Sequence, residues 1–454
     1  MQTTLDRIRR ATVDTPFEGE VWLVGGAVRD MLLGNPLPED LDMVTEMSAL
    51  DLADLLYQKG VSSIPPVSYP RFGTAMFRVG GSTVELATAR RESYSSESRK
   101  PFTEPATLQE DALRRDFTVN AIFLNLHTNE IRDPLGSGFG HLVNKILQTP
   151  LNPDDTFIDD PLRMLRAVRF RWKLGFEPAE GLYESIRANR GRLSIISAER
   201  IRDEWLRMLA LEHADRAMQD LLETGLLERF APELAAMKGV EQGAYHHLDV
   251  WDHTMLALRN ASPCEPRLAL AIVFHDVGKP PTRSVDGQGA VRFLGHEAVS
   301  ADIACAVLTR LKLPSAEIDV VCKLVKNHMR LMSASQVSPS AARRLIRDLG
   351  EHLDLLLDLA QADISALKPG VQAMDIAELR EHLGQVAQVT PKEKLESPLS
   401  GLEIMDLLGL PEGKEVGRIK KGLTEMVLEG LLGFDDKEAA KKAAKEIYSK
   451  GKTS

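Results

Sequence analysis

The 454-residue chain has only three cysteines, Cys264, Cys305 and Cys322, and none stands in a Cys-x-x-Cys pair. That argues against a disulfide scaffold or a cysteine zinc site, and for a reducing, cytoplasmic setting. Long hydrophobic runs are absent too. The longest, Leu268 to Phe274, falls far short of the ~20 residues of a membrane span and reads as a piece of buried helix. The opening Met-Gln-Thr-Thr-Leu-Asp-Arg-Ile-Arg-Arg is not followed by an apolar stretch, so no secretory signal is expected. Internal repeats and low-complexity tracts are missing as well. Net positive charge is also lacking, the balance being −10 at pH 7. This does not exclude a nucleic-acid partner, because screening over about 8 Å at physiological salt makes local patches count for more than the total. One patch is Arg163, Arg166, Arg169, Arg171 and Lys173, in a segment without an acid. A weaker one runs from Lys437 to Lys452, diluted by Asp435, Asp436, Glu438 and Glu446.

A hydrophobic fraction of 43% and a charged fraction of 27% suit a soluble globular protein, and the length predicts more than one domain. Up to about residue 140, short strand-like runs (21–24, 42–45, 74–79, 83–87 and 119–126) alternate with helices. Beyond that, amphipathic helical periodicity takes over. The fold class is therefore α+β: a small α/β head with a mixed sheet, followed by an all-helical remainder. Residues 92–107, rich in serine, proline and charge, read as a mobile loop within the head, and 391–399 as the start of a final helical region.

The densest chemistry lies between Gly25 and Thr45. After the apolar run Val21-Trp22-Leu23-Val24, the pair Gly25-Gly26 permits a tight turn whose backbone can approach a bound group. A helix follows with Arg29 in its first turn, so free N–H groups, the helix dipole and a guanidinium all favour a triphosphate. Asp40 and Asp42 stand two apart on a strand and project from one face, which suits a pair of Mg²⁺ ions. Glu85, on a second strand, is a candidate third ligand. In Asp111-Ala-Leu-Arg114-Arg115-Asp116-Phe-Thr-Val-Asn120, read as opening a buried strand, Arg114 and Arg115 are candidates for triphosphate or sugar, oriented by Asp116, with Asn120 toward the ribose. Asp159-Asp160-Pro-Leu-Arg163 reads as a helix start, with Asp160 and Arg163 on one face. A carboxylate accepts the amino hydrogens of cytosine or adenine and a guanidinium donates to ring positions, whereas uracil would oppose two acceptors.

These residues carry a resemblance. Gly-Gly-x-Val-Arg-Asp with Asp40-x-Asp42, Arg-Arg-Asp-Phe-Thr-Val-Asn-Ala, Asp-Asp-Pro-Leu-Arg-Met-Leu-Arg166-Ala-Val-Arg-Phe and Ser197-Ala-Glu199-Arg200-Ile-Arg-Asp-Glu resemble, in order, the motifs of the bacterial class II tRNA nucleotidyltransferase and poly(A) polymerase family. The resemblance covers residues 20 to 235. It implies a head, neck, body and tail, with Asp40 and Asp42 as catalytic carboxylates, Asp160 and Arg163 reading the base, and Arg166 among the nucleotide contacts. Many members have Glu where this chain has Asp159.

A second constellation follows in the helical part: His253, His275-Asp276, His296, His328 and Asp363. Imidazoles and carboxylates suit a transition metal, which would make a hydroxide nucleophile near neutral pH. The pattern resembles the HD phosphohydrolase superfamily. That resemblance implies His253, His275, Asp276 and Asp363 as core ligands, His296 and His328 for a second metal, and Lys279 on phosphate, with Ni²⁺, Mn²⁺ or Co²⁺ as candidate ions. The expected organisation is a head at 1–140, a helical neck and body at 141–240, an HD domain at 241–370 and a helical tail at 371–454.

The function expected is template-independent addition of CMP and AMP from CTP and ATP to the 3′ end of tRNA. The neck and tail, including the face from Arg163 to Lys173, would hold the acceptor end, and an HD phosphohydrolase activity would accompany it. The alternatives are a poly(A) polymerase, disfavoured by the acidic balance, an enzyme adding only C-C or only A, and a metal phosphohydrolase whose head merely binds RNA.

Overall fold

The computed structural model describes residues 2–95, 98–243, 247–332, 337–371, 374–389 and 394–451. Pro391, at the expected start of the final helical region, and Lys452 lie outside them. The chain divides into two compact units, Met1–Pro232 and Glu233–Ser454.

The first unit begins with α1 (Gln2–Thr12), β1 (Trp22–Val24), α2 (Gly26–Leu32), β2 (Asp40–Thr45) and α3 (Ala49–Gln58). Then come β3 (Val67–Tyr69), β4 (Thr74–Val79), β5 (Ser82–Thr88), β6 (Arg90–Ser95), β7 (Ser98–Pro105), α4 (Leu108–Leu113), β8 (Phe123–Asn125) and β9 (Ile131–Arg132). Seven strands form one mixed sheet in the order β3-β4-β5-β2-β1-β8-β9, with β2 and β5 parallel and the other neighbours antiparallel. One face is apolar, with Ala75, Phe77, Val84 and Leu86 buried where α3 lies on β4 and β5. On the opposite face the β1 half is covered by a cluster of Trp22, Val24, Val44, Ala89, Leu108, Ala112, Ala121 and Phe123.

Two local expectations are corrected here. Residues 92–107 are largely a hairpin rather than a loop: β6 and β7 pair antiparallel, Arg90 opposite Pro105 and Ser93 opposite Phe102. Such a two-stranded ribbon satisfies its backbone between its own strands, so it lacks the apolar alternation that marks a core strand. Similarly, 119–126 is not one strand. Thr118–Asn120 form a 3₁₀ turn and the strand starts at Phe123.

Helices α5 (Gly138–Asn144), α6 (Pro153–Asp159), α7 (Leu162–Leu174), α8 (Leu182–Asn189), α9 (Ala198–Leu209) and α10 (Ala214–Glu223) complete the unit. The Asp159-Asp160-Pro-Leu segment does lead into a helix, α7, as expected, but Asp160 itself lies outside it. Asp159 is the last residue of α6, and Asp160 is extended (φ −134°, ψ 97°) because Pro161 follows it. The carboxylate of Asp160 then accepts from the N–H of Leu162 (3.2 Å) at the start of α7.

The second unit is helical. Five of its helices, Val250–Ala261, Pro266–Phe274, His296–Arg310, Ser315–Asn327 and Leu353–Ser365, carry or border the histidine constellation. Leu268 to Phe274 is buried helix, as expected. Further on, Gly401–Leu408, Lys414–Glu429 and Lys437–Gly451 share a core around Ile404, Ile419, Leu423 and Ala444. Cys305 and Cys322, seventeen residues apart, are bonded, a single link rather than a disulfide scaffold. Two helices joined by a short turn run back past each other and bring such distant positions together, which spacing rules for local motifs do not register. No described helix is long and apolar enough to cross a membrane.

Candidate active sites

In the head, register brings the acids together. Asp42 lies opposite Glu85 across the parallel β2–β5 pair, and Asp40 opposite Thr83, so Asp40, Asp42 and Glu85 share one sheet face. Gly25 adopts φ +76°, and a Cβ there would come within 3.2 Å of the Asp42 carboxylate, so glycine serves both the turn and the approach. Burial pushes the Asp42 carboxyl upward, Arg115 and Arg166 pull it down, and Asp40 and Asp116 add to the upward push. Asp42 itself remains open to water, which tempers that shift. Glu85 is likewise raised, by burial and then by Asp42. Carboxylates that destabilise one another in this way gain most from a shared divalent cation, and hard oxygen donors on an open face fit Mg²⁺.

The arginines divide differently from the sequence reading. Asp111, not Asp116, orients Arg114 (2.5 and 2.9 Å) and Arg115 (2.8 and 3.0 Å), its two oxygens taking one guanidinium each. Asp116 instead holds Arg166 (2.5 and 2.9 Å) and the amide of Asn120 (3.0 Å), and its carboxyl stays well below the usual range; burial opposes this, but Arg166, Asn120 and Arg163 together outweigh it. Arg29 does not face solvent. It is 1% exposed, donating to Asn120 (2.6 Å) and Asp30 (2.8 Å) over the ring of Phe170, so it ties the Gly25 turn to the Asp116 cluster from beneath.

The basic run Arg163 to Lys173 is not an open cationic face either. Arg163 is buried and donates to the carbonyl of Arg114, Arg169 pairs with buried Glu204 (2.6 Å), and Arg171 pairs with Asp220 (3.0 Å). The segment contains no acid, yet its neutralising partners arrive from α9, α10 and the head. Of the five, only Lys173 is exposed. Asp160 lies beside Arg200 (3.4 Å), whose Nη1 is buried without a hydrogen-bond partner. Glu204, Asp111 and Arg200 are thus site residues that sequence reasoning left without roles. For Asp111, the i,i+3 and i,i+4 spacing to the two arginines was a usable signal; Glu204 closes the motif that begins at Ser197, but nothing local in it points to Arg169 as the partner.

In the second unit two trios of ligand atoms each lie within 4.8 Å of one another: His253, His275 and Asp363, and Asp276, His296 and His328. None of the six is more than 6% exposed. Each histidine directs Nδ1 at a backbone carbonyl: His275 to Ile272 (2.7 Å), His296 to Phe293 (2.8 Å), His328 to Val325 (2.7 Å) and His253 to Ala366 (3.2 Å). A carbonyl can only accept, so Nδ1 carries a proton in each; the Nε2 of His253 in turn lies 2.9 Å from an Asp363 oxygen. The Nε2 atoms of His275, His296 and His328 are buried without a hydrogen bond. Burial pushes His328 down to about 4, so it is neutral; His275 is pushed up to about 9, where Asp276 and Asp363 outweigh the effect of burial. Buried imidazoles whose Nε2 atoms lie beside carboxylates, His275 at 3.2 Å and His296 at 3.3 Å from Asp276, form a donor set that fits divalent transition metals. Lys279 donates to Asp276 and to Gln242 (both 2.6 Å) at the margin of this cluster.

Comparison with known proteins matches this division. The Poly A polymerase head domain matches residues 21–148, the probable RNA and SrmB-binding site of polymerase A matches 175–238, and the HD domain matches 243–377. A CC-adding tRNA nucleotidyltransferase of Thermus thermophilus is 35% identical, over 95% of this chain and 95% of its own. An A-adding tRNA nucleotidyltransferase of Deinococcus radiodurans is 33% identical, over 94% and 95%. Among solved structures, the Bacillus stearothermophilus CCA-adding enzyme in complex with CTP aligns with a TM-score of 0.70 at 23% identity, covering 100% of this chain and 99% of that one, a likeness of fold. With full-length likeness to relatives a third identical, the chain belongs to the tRNA nucleotidyltransferase and poly(A) polymerase family and carries an HD domain.

Proposed function

We propose that the protein adds CMP and AMP from CTP and ATP, without a template, to the 3′ end of tRNA, a cytoplasmic substrate. The observation that carries this is the convergence of Asp40, Asp42 and Glu85 on one open sheet face, beside Arg115 fixed by Asp111. Mg²⁺ held by Asp40 and Asp42 supplies charge neutralisation for the phosphates and the leaving pyrophosphate. The 3′ hydroxyl of the RNA attacks the α-phosphate in line. Gly25 and Gly26 leave room for phosphate against the backbone, Arg115 and Arg114 balance its charge, and Asp116 and Asn120 hold the α2 turn in place through Arg29. Asp160, kept extended by Pro161 and steadied by Arg200, accepts the amino hydrogens of cytosine or adenine, with Arg163 beside it. An opposed acceptor from uracil costs about 1 to 3 kcal/mol, which suffices for selection by side chains. The test is to supply tRNAs lacking A, CA or CCA with each nucleotide and sequence the product ends. Stopping after the terminal A supports full addition; long A tails on unrelated RNA support a poly(A) polymerase.

A narrower reading is favoured by the relatives: the Thermus and Deinococcus proteins are named for adding only CC and only A. The same assay separates these outcomes by which tRNA is extended. For the second unit we propose a phosphohydrolase in which His253, His275 and Asp363 hold one ion and Asp276, His296 and His328 another. Lys279 would meet the substrate phosphate. Phosphate release from 2′,3′-cyclic nucleotides dependent on Ni²⁺, Mn²⁺ or Co²⁺ supports it; no bound metal and no activity with any of them removes it.

A further inference from the structure

The sheet face that carries the carboxylates does not end at Glu85. Register continues the row: Asp42 lies opposite Glu85, Glu85 opposite Met76 on β4, and Met76 opposite Val67 on the edge strand β3. A second row runs from Asp40 through Thr83 to Arg78, and a third passes through Thr74 to Tyr69. Residues paired across strands point to the same face, with strands about 4.8 Å apart, so the first row spans about 14 Å. The β1 half of this face is sealed by an apolar cluster, whereas the β4 and β3 half is open. Its side chains are unlike an ordinary solvated surface: Val67 is 56%, Tyr69 45% and Met76 37% exposed, beside exposed Arg78. Phe72, in the turn between β3 and β4, is exposed as well.

We propose that this strip, Val67, Tyr69, Met76 and Arg78, is the track on which the single-stranded 3′ end of the acceptor RNA lies, its terminal hydroxyl toward Asp42 and Glu85. The inference rests on the transferase reading above. Three observations favour RNA over other occupants. The strip is continuous with the candidate catalytic face. It combines an aromatic and apolar platform for bases with a cation for phosphate, the pairing that sequence-tolerant single-strand binding uses. Finally, the basic run of α7, the other obvious place for RNA, is consumed by internal partners. The nucleotide belongs to the opposite side of Asp42, where Gly25 leaves its space.

The test uses the full-length protein, a tRNA transcript lacking CCA, and CTP. All four side chains are exposed, so a Tyr69→Ser/Met76→Ser double variant and Arg78→Ala should melt as the wild type does. The double variant is expected to raise KM for the RNA by tenfold or more and leave KM for CTP unchanged, since each stacked base contributes substantially. Arg78→Ala should flatten the salt dependence of RNA binding by about one phosphate contact. As a readout independent of turnover, the same transcript with 4-thiouridine at its penultimate position should photocrosslink to the β3–β4 peptide. Crosslinks confined to residues 175–238, an unchanged KM for RNA, or a dimeric wild type that the double variant splits into monomers would each overturn the proposal. A wild type that crosslinks at β3–β4 yet transfers no nucleotide would overturn the transferase reading while supporting the strip as an RNA site.

Discussion

The two candidate metal sites are built on opposite plans. In the head, Asp40 and Asp42 stand on an exposed strand face, offer only oxygen, and are not among the ligand trios that close within 4.8 Å. In the HD domain six ligands are buried, mostly nitrogen, and their orientation is fixed by carbonyls before any ion arrives. The first plan suits an ion that comes and goes with its substrate, as Mg²⁺ does with a nucleotide. The second suits a resident ion, because buried imidazole nitrogens without a hydrogen bond cost free energy that a metal removes.

The strongest way to break this contrast is to separate the two chemistries. Asp42→Asn is expected to lower nucleotide transfer to tRNA by at least about a thousandfold while leaving cyclic phosphodiesterase activity as it was, on the scale of losing a principal electrostatic contributor. His275→Ala should do the reverse. If one substitution silences both activities without unfolding the protein, the sites are not independent.

A second prediction concerns the charge cluster under the head. Asp116 is buried against Arg166 and Asn120, so Asp116→Asn should cost about 3 kcal/mol of stability at pH 7, measured by urea unfolding. The sign of its pH dependence follows from its depressed pKa. The stabilisation from the ionised form is present above the ordinary carboxylate range near 4 and is lost as pH falls below it. The gap between wild type and variant should therefore narrow steadily as pH falls below 4, by about 1.4 kcal/mol per pH unit, and close only well below pH 3. A gap that does not narrow below pH 4 would mean that packing, not charge, carries the effect.

Metal affinity sharpens the contrast further. After chelation and removal of the chelator, micromolar Ni²⁺, Mn²⁺ or Co²⁺ should raise the thermal midpoint of the second unit, and His328→Ala should reduce that rise. Mg²⁺ alone should move the first unit little until CTP is added. A tightly held ion stabilises in proportion to the logarithm of its concentration over Kd, so a resident metal is visible in melting and a transient one is not.

How much of this was legible in the sequence depended on how far apart the partners lie. Asp40 and Asp42 were readable because strand alternation is local, and the histidine ligands because each sits in a recognisable short motif. The helix start after Asp160 was readable too, since acids and proline suit one and α7 does begin at Leu162; only the place of Asp160 was off by a residue or two, because Pro161 keeps it extended just outside the helix. The basic run of α7 misled more seriously. Nothing between residues 163 and 173 announces Glu204, Asp220 or Asp116, and a charge run reads as a surface until those acids are seen. Arg29 was misplaced for the same reason, its decisive neighbour being 91 residues away.

The smallest expected effect tests the finest of these placements. Arg200 reaches Asp160 at 3.4 Å with a half-exposed side chain, a geometry worth at most about 1 kcal/mol. Arg200→Ala should therefore raise KM for CTP and ATP by no more than about fivefold, with kcat and KM for tRNA held. Its distinguishing mark is discrimination. A carboxylate no longer held in place can turn its acceptors away from an amino group as readily as toward it, so the preference for CTP over UTP should fall by a similar factor, and Arg200→Lys, which restores the charge, should recover part of it. If Arg200→Ala changes only the KM for tRNA, Arg200 contacts RNA rather than positioning Asp160.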